Sequence, residues 1–233
     1  MMRMVVLTGA GVSAESGLGT FRDKGGIWAR YDLSEVATPE GFARDPGRVH
    51  DFYNLRRAQA AESRPNTAHA ALARLAQAMD GDLLFVTQNV DDLHDRAGTP
   101  GVLHMHGRLD TALCAACGAR WTAPARMTPR DPCPTCSAHA TRSDVVWFGE
   151  MPHGLDRIAG ALEAADLFVA IGTSGSVYPA AGFAAGAQDA GARTLELNLA
   201  PSDAPGIDGG RYGPATVVVP AWVDEILGTT GGF

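Results

Sequence analysis

Long apolar runs, a large positive charge and sequence repeats are all absent from this chain. No stretch approaches the ~18 consecutive apolar residues that a membrane-spanning helix needs. The first apolar run ends at Leu7 and is too short for the core of a signal peptide. Acidic residues outnumber basic ones by 26 to 19, which excludes a general electrostatic attraction to nucleic acid or to a membrane surface. We therefore expect a cytoplasmic, monomeric protein that binds neither nucleic acid nor membrane.

Cysteine is also scarce, and the four cysteines form a single pattern. Cys114 and Cys117 are followed, after fifteen residues, by Cys133 and Cys136, which matches a known zinc-site spacing. Four thiolates close a tetrahedral site and leave no position for water, so the one Zn²⁺ would be structural. Two disulfides are the alternative, and the lack of an export signal disfavours them. Residues 109–144 are thus predicted to form a zinc-ribbon insertion.

Apolar runs alternate with helix-compatible segments along the rest of the chain. This alternation predicts an α/β fold with a doubly wound, Rossmann-like parallel sheet. The predicted strands cover 4–7, 83–87, 167–171, 194–197 and 216–219, with extended segments at 102–107 and 145–150. The predicted helices cover 45–62, 66–79, 155–165, 180–189 and 222–227.

The length of 233 residues, 45% of them apolar, favours one domain with a smaller insertion over two equal domains. The sheet domain is predicted to comprise 1–22, 66–108 and 145–233. A helical module, 23–65, and the zinc ribbon, 109–144, would together form the smaller domain.

A glycine-rich turn follows the first predicted strand. The segment from Gly9 to Ala14 fits the dinucleotide-binding pattern G-x-G-x-x-G/A. Gly9 would permit a tight turn, Gly11 would let the backbone approach a pyrophosphate, and Ser13 would help the first N–H groups of a helix to face the phosphates. Such turns also join strands to helices in proteins that bind no nucleotide. The glycine-rich run 17–26 has no strand pattern and is interpreted as a mobile loop over a site.

Polar side chains follow three of the predicted strands. Gln88, Asn89 and Asp91 come after the second strand, where ligands of open α/β sheets bind. The alternative is a capped turn before the next helix. The segment 172–175 and Asn198 follow two later strands and could touch a nucleotide ribose or adenine, or serve only as turn residues.

Two further pairs of side chains are candidates for the chemistry. His104 and His106 would point to the same side of an extended segment, and an imidazole with a near-neutral pKa is a natural general base. Their spacing does not say which one is used, or whether either is. Tyr53 and Arg56 share one face of a predicted helix and could hold a carboxylate. A solvated Arg beside a half-buried Tyr is the alternative.

The motifs TGAGVSAESG with TFR, TQNVDDLH, HMHG, the paired CxxC motifs, VVWFGE, GTSGSVYPA and ELNL occur in this order along almost the whole chain. This order resembles that of the sirtuins, the NAD-dependent protein-lysine deacylases. Ala37 in ATPEGF and Tyr53 with Arg56 in FYNLRR resemble the class III branch, whose members remove acidic acyl groups such as succinyl and malonyl. Bacterial members of that branch also deacetylate.

The resemblance implies a role for each matching position. His106 would be the catalytic base, assisted by Asn89 and Asp91. The co-substrate NAD would be held by Gly9, Ala10, Gly11, Ser13, Phe21, Arg22, Gln88, Asn89, Asp91, Gly172, Thr173, Ser174, Asn198, Leu199 and Ala215. The acyl-lysine substrate would be held by Ala37, Tyr53, Arg56, Val145, Val146, Phe148, Gly149, Glu150 and Val177. A substrate peptide would lie as an added strand between 145–150 and 175–178.

The implied reaction consumes NAD as a substrate and moves no hydride. The acyl oxygen attacks C1′ of the nicotinamide ribose, and the products are nicotinamide, free lysine and 2′-O-acyl-ADP-ribose. A mono-ADP-ribosyltransferase or NAD glycohydrolase is one alternative, because the same ribose chemistry serves another acceptor. A non-catalytic NAD and zinc interaction module is a second. Gly19, Ser143 and Ala200 depart from the family pattern, which puts loop rigidity and adenosine affinity in doubt.

Overall fold

The structure is a computed structural model that describes residues 2–19 and 31–230. Its strands are β1 (Met4–Thr8), β2 (Leu83–Thr87), β3 (Leu103–His104), β4 (Gly107–Cys114), β5 (Arg120–Thr122), β6 (Thr141–Val145), β7 (Leu167–Ile171), β8 (Arg193–Asn198) and β9 (Gly209–Tyr212). Its α-helices are α1 (Gly11–Ala14), α2 (Leu33–Val36), α3 (Pro39–Arg44), α4 (Pro46–Glu62), α5 (Thr67–Ala78), α6 (Leu93–Arg96), α7 (Leu155–Ala164), α8 (Phe183–Asp189) and α9 (Ala215–Thr230). A short 3₁₀ helix, Ala180–Gly182, precedes α8.

The main sheet confirms the predicted doubly wound architecture. Six strands pair in the order β3-β2-β1-β7-β8-β9, and every neighbouring pair is parallel. Side chains alternate between faces along a strand, so Met4 and Val6 pack with α5 and α9. Val5 and Leu7 pack on the opposite face with α7 and α8. Both faces are covered, which explains why β1 is a continuous apolar run.

The strand order positions a site at one end of this sheet. After β1 the chain builds β2 and β3 on one side, and later it builds β7, β8 and β9 on the other. The carboxyl ends of β1 and β7 therefore flank the point where the order reverses. Ligands of open α/β sheets bind in the crevice at such a point.

The prediction of a strand at 216–219 is wrong, because these residues lie in α9. The β-branched residues favour a strand locally, but Val219 and Trp222 are buried in the core beneath the sheet. Pro220 cannot donate to the Thr216 carbonyl as a helix requires, and the Thr67 hydroxyl donates to that carbonyl instead, at 2.9 Å. The strand at this edge of the sheet is β9, whose two glycines give little strand signal.

The prediction of an extended segment at 145–150 is also wrong beyond its first residue. The strand is β6, which ends at Val145 and belongs to the small sheet. The following residues turn, because Glu150 accepts hydrogen bonds from the Trp147 backbone N–H at 2.9 Å and from Arg142 at 2.8 Å. Gly149 adopts the left-handed region that this turn needs, with φ of 89°.

A small antiparallel sheet of order β5-β4-β6 packs against α4, and the first of the four cysteines, Cys114, is the last residue of β4. Arg57 of α4 is buried between them. Its guanidinium donates to the Leu109 carbonyl at 2.7 Å and to the Ser143 hydroxyl at 2.8 Å. One polar side chain thus ties the helical segment to the zinc ribbon. Within the described ranges, none of the helices combines the length and apolar character that crossing a membrane requires.

Candidate functional site

Glycines bring the ends of β1 and β7 into direct backbone contact. The Gly9 N–H donates to the Ile171 carbonyl at 2.9 Å, and the Gly11 N–H donates to the Gly172 carbonyl at 2.8 Å. A Cβ atom on Gly11 would lie 2.8 Å from the Gly172 Cα atom. Gly172 has a φ of 61°, so its own conformation also favours glycine. Close backbone packing between the ends of β1 and β7, where the strand order reverses, explains these glycines. Their phosphate-binding role stays a prediction.

Ser13, Asn89 and Asp91 converge beside this contact, as expected from their positions after β1 and β2. The Asn89 amide donates to Ser13 Oγ at 3.1 Å, and Ser13 Oγ donates to Asp91 Oδ2 at 3.2 Å. All three side chains are buried. The Leu93 N–H donates to Asp91 Oδ1 at 3.1 Å, so Asp91 caps a turn and also faces the cluster. The capped-turn interpretation is therefore confirmed, and the ligand-binding role of this carboxylate stays a prediction.

The surroundings of Asp91 act on its charge in opposite directions, and burial has the largest effect. Burial raises the pKa of this carboxyl, while hydrogen bonds from Leu93 and Ser13 and the positive charge of Arg56 oppose the rise. A carboxylate in a poorly solvated site stabilises positive charge on a neighbouring group far more than it would in water. The cluster is thus suited to a reaction in which positive charge develops.

Two buried histidines that the sequence did not single out support this cluster. His69 Nε2 lies 3.4 Å from Ser13 Oγ, and burial lowers the pKa of His69 to about 4, so the ring is neutral at pH 7. His94 Nε2 lies 3.0 Å from the Thr8 hydroxyl, and the two imidazoles are 4.8 Å apart. The sequence did offer a signal for His69, because a histidine among the apolar residues of α5 is expected to be buried. In the structure it is fully buried.

The structure distinguishes His106 from His104. The His104 nitrogens face two acceptors, the Asn89 carbonyl at 3.3 Å and Asp95 Oδ2 at 2.9 Å, so neither nitrogen is left to act as a base. His106 Nδ1 donates to the Gln88 carbonyl at 3.2 Å. That bond places the proton on Nδ1 and leaves Nε2 as the basic nitrogen. Burial lowers the pKa of His106, which keeps the imidazole neutral at pH 7.

Tyr53 and Arg56 lie next to the same cluster. The Tyr53 Oη atom accepts a hydrogen bond from Trp147 Nε1 at 2.9 Å, so its own proton remains to be donated. Burial raises the pKa of Tyr53, which keeps the phenol protonated. Burial lowers the pKa of Arg56, and the charges of Tyr53 and Asp91 oppose that change. Arg56 is half-buried rather than solvated, and the small, buried Ala37 packs in the same cluster as Tyr53.

The residues predicted for the adenosine half lie on the loops after β7 and β8. The Asn198 amide donates to the Thr173 carbonyl at 3.0 Å, and the Gln88 amide donates to the Thr173 hydroxyl at 2.9 Å. Glu196, which the sequence did not single out, accepts from Asn198 at 2.9 Å. Four other residues were predicted to contact NAD. Ser174 and Leu199 lie on these two loops, and Leu199 is 77% exposed. Ala10 directly precedes α1, and Ala215 begins α9.

The residues predicted to hold a peptide follow β6 and β7. The Val146 N–H donates to the His106 carbonyl at 2.9 Å, which holds this segment beside the candidate base. Phe148 is 49% exposed, and its N–H donates to the Ala37 carbonyl at 2.9 Å. Val177, on the loop after β7, is half-buried. Phe21, Arg22 and most of the predicted loop 17–26 lie outside the described residues.

The four cysteines fit a tetrahedral zinc site. Their Sγ atoms all lie within 4.8 Å of one another, and the Cys114–Cys136 and Cys117–Cys133 pairs are each 3.7 Å apart. Zn–S bonds of about 2.3 Å in a tetrahedron place sulfurs about 3.8 Å apart. A disulfide would need a separation of about 2.05 Å, so the disulfide alternative is wrong. The site is closed, and a metal held there is structural.

Comparison with known proteins agrees with these features. The model of the Sir2 family matches residues 9–179. The curated NAD-dependent protein deacylase of Caulobacter vibrioides is 57% identical over 97% of this chain and 98% of its own length. That of Escherichia coli K12 is 52% identical over 97% of this chain and 82% of its own length.

Solved structures give the same result. A Sir2 homologue in complex with NAD superposes with a TM-score of 0.89 at 39% identity, covering 97% of this chain and 90% of that one. A mutant Sir2 homologue in complex with 2′-O-acetyl ADP-ribose has a TM-score of 0.88 at 38% identity, covering 97% of this chain and 92% of that one. The chain belongs to the Sir2 family.

Proposed function

We propose that the protein is an NAD-dependent protein-lysine deacylase that releases nicotinamide and transfers the acyl group to ADP-ribose. The observation that carries this proposal is the convergence of Ser13, Asn89 and Asp91, with His106 held by the adjacent Gln88 carbonyl. The relatives above are named for this activity, and one solved homologue holds 2′-O-acetyl ADP-ribose. NAD is a co-substrate here, and one structural Zn²⁺ is the metal.

The residues of the cluster have separate tasks in this reaction. Asn89 and Asp91 stabilise the positive charge that develops on the nicotinamide ribose as nicotinamide leaves. Ser13 keeps both side chains oriented, because it bonds to each of them. His106 Nε2 removes a proton from a ribose hydroxyl, which then attacks the acyl carbon. Water then adds to that carbon and its bond to the lysine nitrogen breaks, so that lysine leaves as the free amine. Burial of the cluster excludes water from the reacting groups before this step.

A panel of acyl-lysine peptides tests the reaction directly. We expect acetyl-lysine and succinyl-lysine peptides, incubated with NAD, to yield nicotinamide and the matching 2′-O-acyl-ADP-ribose. For each peptide, one molecule of 2′-O-acyl-ADP-ribose should form for each molecule of nicotinamide released. Mass spectrometry identifies the products. ADP-ribose attached to protein would indicate a transferase, and free ADP-ribose with intact acyl-lysine would indicate a glycohydrolase. Failure to release nicotinamide with every peptide would support a non-catalytic module.

We further propose that the acyl pocket accepts succinyl and malonyl groups as well as acetyl. Arg56 offers paired donors and a positive charge, and the Tyr53 phenol is protonated with its proton available. Together they would clamp the distal carboxylate of an acidic acyl group, and the small Ala37 would leave room for it. The charge of Arg56 also acts on Asp91, so the clamp lies within reach of the reacting centre.

Arg56→Met is expected to lower kcat/KM for a succinyl-lysine peptide by one to two decades and to change kcat/KM for the acetyl-lysine peptide much less. A charge-assisted hydrogen bond in a poorly solvated pocket contributes about 1.5–3 kcal/mol, and only the succinyl group can accept it. Steady-state kinetics on matched peptides gives both values. Arg64→Met, at an exposed position just after α4, is the control. Equal losses on both peptides would refute the clamp.

A further inference from the structure

The carboxylate of Glu196 lies at the centre of a hydrogen-bond network near the end of β8, and the mechanism above makes no use of it. This residue is only 2% exposed. Its Oε1 atom accepts from the Ser202 backbone N–H at 3.1 Å and from the Tyr212 hydroxyl at 2.9 Å. Its Oε2 atom accepts from the Ser202 hydroxyl at 2.6 Å and from the Asn198 amide at 2.9 Å. Donors from three residues thus converge on one buried carboxylate.

These hydrogen bonds keep Glu196 ionised. Burial alone would raise the pKa of its carboxyl, but the hydrogen bonds from Ser202, Tyr212 and Asn198 outweigh burial and lower the pKa. Several hydrogen bonds to a carboxylate favour its charged form. The protein therefore carries a negative charge close to the end of β8 at neutral pH.

Glu196 and Thr173 together fix the orientation of the Asn198 amide. Asn198 Nδ2 carries two hydrogens, and it donates one to Glu196 Oε2 at 2.9 Å and the other to the Thr173 carbonyl at 3.0 Å. Both neighbours are acceptors, so a flipped amide would turn Oδ1 toward them and lose both bonds. Within residues 2–19 and 31–230, no group donates to Oδ1, and this atom is not enclosed by the protein. Asn198 therefore presents an open acceptor.

This oxygen adjoins the place predicted for a ribose. The Gly172 N–H donates to the Leu197 carbonyl at 2.9 Å, which joins the end of β8 to the glycine contact predicted to hold the pyrophosphate. In the adenosine half of NAD, the ribose comes directly after the pyrophosphate. Ribose hydroxyls can donate to a carbonyl oxygen. The side chains of residues 199–201 are apolar, so a ribose beside this turn depends on Asn198.

We propose that Glu196 is a positioning residue for NAD, which holds the Asn198 carbonyl oxygen toward a hydroxyl of the adenosine ribose and rejects a nucleotide phosphorylated on that hydroxyl. A hydroxyl can donate to Asn198 Oδ1. A 2′-phosphate instead brings acceptor oxygens and negative charge toward an acceptor and a carboxylate, which is repulsive. The inference rests on the proposed use of NAD and adds a residue that sets selectivity for it.

The charges around this position agree with such a selectivity. Dinucleotide folds that take a 2′-phosphate place an arginine near it. The segments 172–176 and 196–204 contain no lysine or arginine. Arg211 lies on the neighbouring strand β9, but its guanidinium donates two hydrogen bonds to the Glu225 carboxylate, at 2.7 and 2.6 Å. The negative charge of Glu196 is therefore not offset by these groups.

Binding of ADP-ribose tests the inference without requiring catalysis. Isothermal titration calorimetry compares ADP-ribose with the same molecule carrying a phosphate on the adenosine 2′ hydroxyl. We expect the unmodified protein to bind ADP-ribose roughly tenfold more tightly or better, the effect of one charge-assisted contact. Glu196→Gln keeps the size of the side chain but removes its charge, so it should lower this ratio several-fold. Glu163→Gln, at an exposed position on α7, is the matched control and should leave the ratio unchanged.

A second variant separates positioning from a merely structural role. Glu196→Leu removes every acceptor at this position and should weaken ADP-ribose binding roughly tenfold, because the Asn198 amide is then free to turn. In an Asn198→Ala background, Glu196→Leu should cause no further loss, since Glu196 acts through Asn198. Thermal unfolding of each variant reports any general destabilisation.

Equal affinity of the unmodified protein for the two ligands would overturn the inference, as would a ratio that Glu196→Gln leaves unchanged. Independent, additive losses from Glu196→Leu and Asn198→Ala would also overturn it. In each of these cases, binding of ADP-ribose would leave the proposed deacylase function intact. If the unmodified protein bound neither ligand, the proposed use of NAD would fail together with the inference.

Discussion

His106→Ala is expected to lower the rate of deacylation by ~10²–10⁴-fold, the usual contribution of a positioned general base. Nicotinamide exchange should survive, because the base acts on the ribose hydroxyl only after nicotinamide has left. Deacylation is measured by product formation, and exchange by incorporation of labelled nicotinamide into NAD. His139→Ala, at an exposed position, controls for loss of a histidine. Equal loss of both activities would show that His106 acts earlier or only stabilises the fold.

The pH profile tests the same assignment in the unmodified protein. Burial lowers the pKa of His106, the hydrogen bond to the Gln88 carbonyl opposes this, and His153 lowers the pKa further. The neutral ring is the base, so kcat/KM should be full above the folded pKa and should fall as the pH drops through it. The acid limb should therefore have its midpoint below the ordinary histidine value of about 6.5. A midpoint above that value would contradict the assignment.

Removal of zinc is expected to abolish activity although no cysteine lies in the candidate site. Structural zinc in small modules contributes about 10–16 kcal/mol of apparent binding free energy, which is also folding free energy. Loss of the metal should unfold the small sheet and release Arg57 from the Leu109 carbonyl and the Ser143 hydroxyl. Helix α4, which carries Tyr53 and Arg56, would lose that support.

Cys133→Ser and treatment with a chelator are two routes to this state. Metal analysis should find one zinc per chain before treatment, and circular dichroism and thermal unfolding should report the loss of structure. Restoring Zn²⁺ to the chelated protein should recover activity, whereas the Cys133→Ser protein should not respond. A metal-free protein with full deacylase activity would show that the four cysteines are dispensable.

Several elements were predictable because their signals are local. A continuous apolar run such as Met4–Thr8 is typical of a strand buried on both faces, and the cysteine spacing indicates a metal site without any knowledge of the fold. The helix at 216–219 was not predictable in this way. Its β-branched residues favour a strand, whereas long-range contacts favour the helix: Trp222 is buried in the core, and the Glu15 carboxylate accepts from the Thr216 N–H at 3.0 Å.

The candidate site was predictable in composition but not in geometry. The polar residues after β1 and β2 were expected to meet, because parallel strands end at the same edge. Their hydrogen bonds join residues 76 and 78 positions apart. The supporting histidines His69 and His94 were missed. His69 stands among the apolar residues of α5, where a histidine more often has only a packing role. The proposed domain boundaries, with the sheet domain as 1–22, 66–108 and 145–233, stay a prediction.

By itself the sequence determined the parallel α/β architecture, the zinc motif and the family, since periodicity, spacing and motif order are properties of a linear chain. The family resemblance assigns the base to His106, and the tertiary structure gives the physical reason. Both nitrogens of His104 face acceptors, whereas His106 is left with a basic Nε2. The tertiary structure also decided that Arg57 of α4 meets the Leu109 carbonyl and the Ser143 hydroxyl, which lie far from it along the chain. Whether a polar atom is satisfied depends on neighbours that the fold brings together.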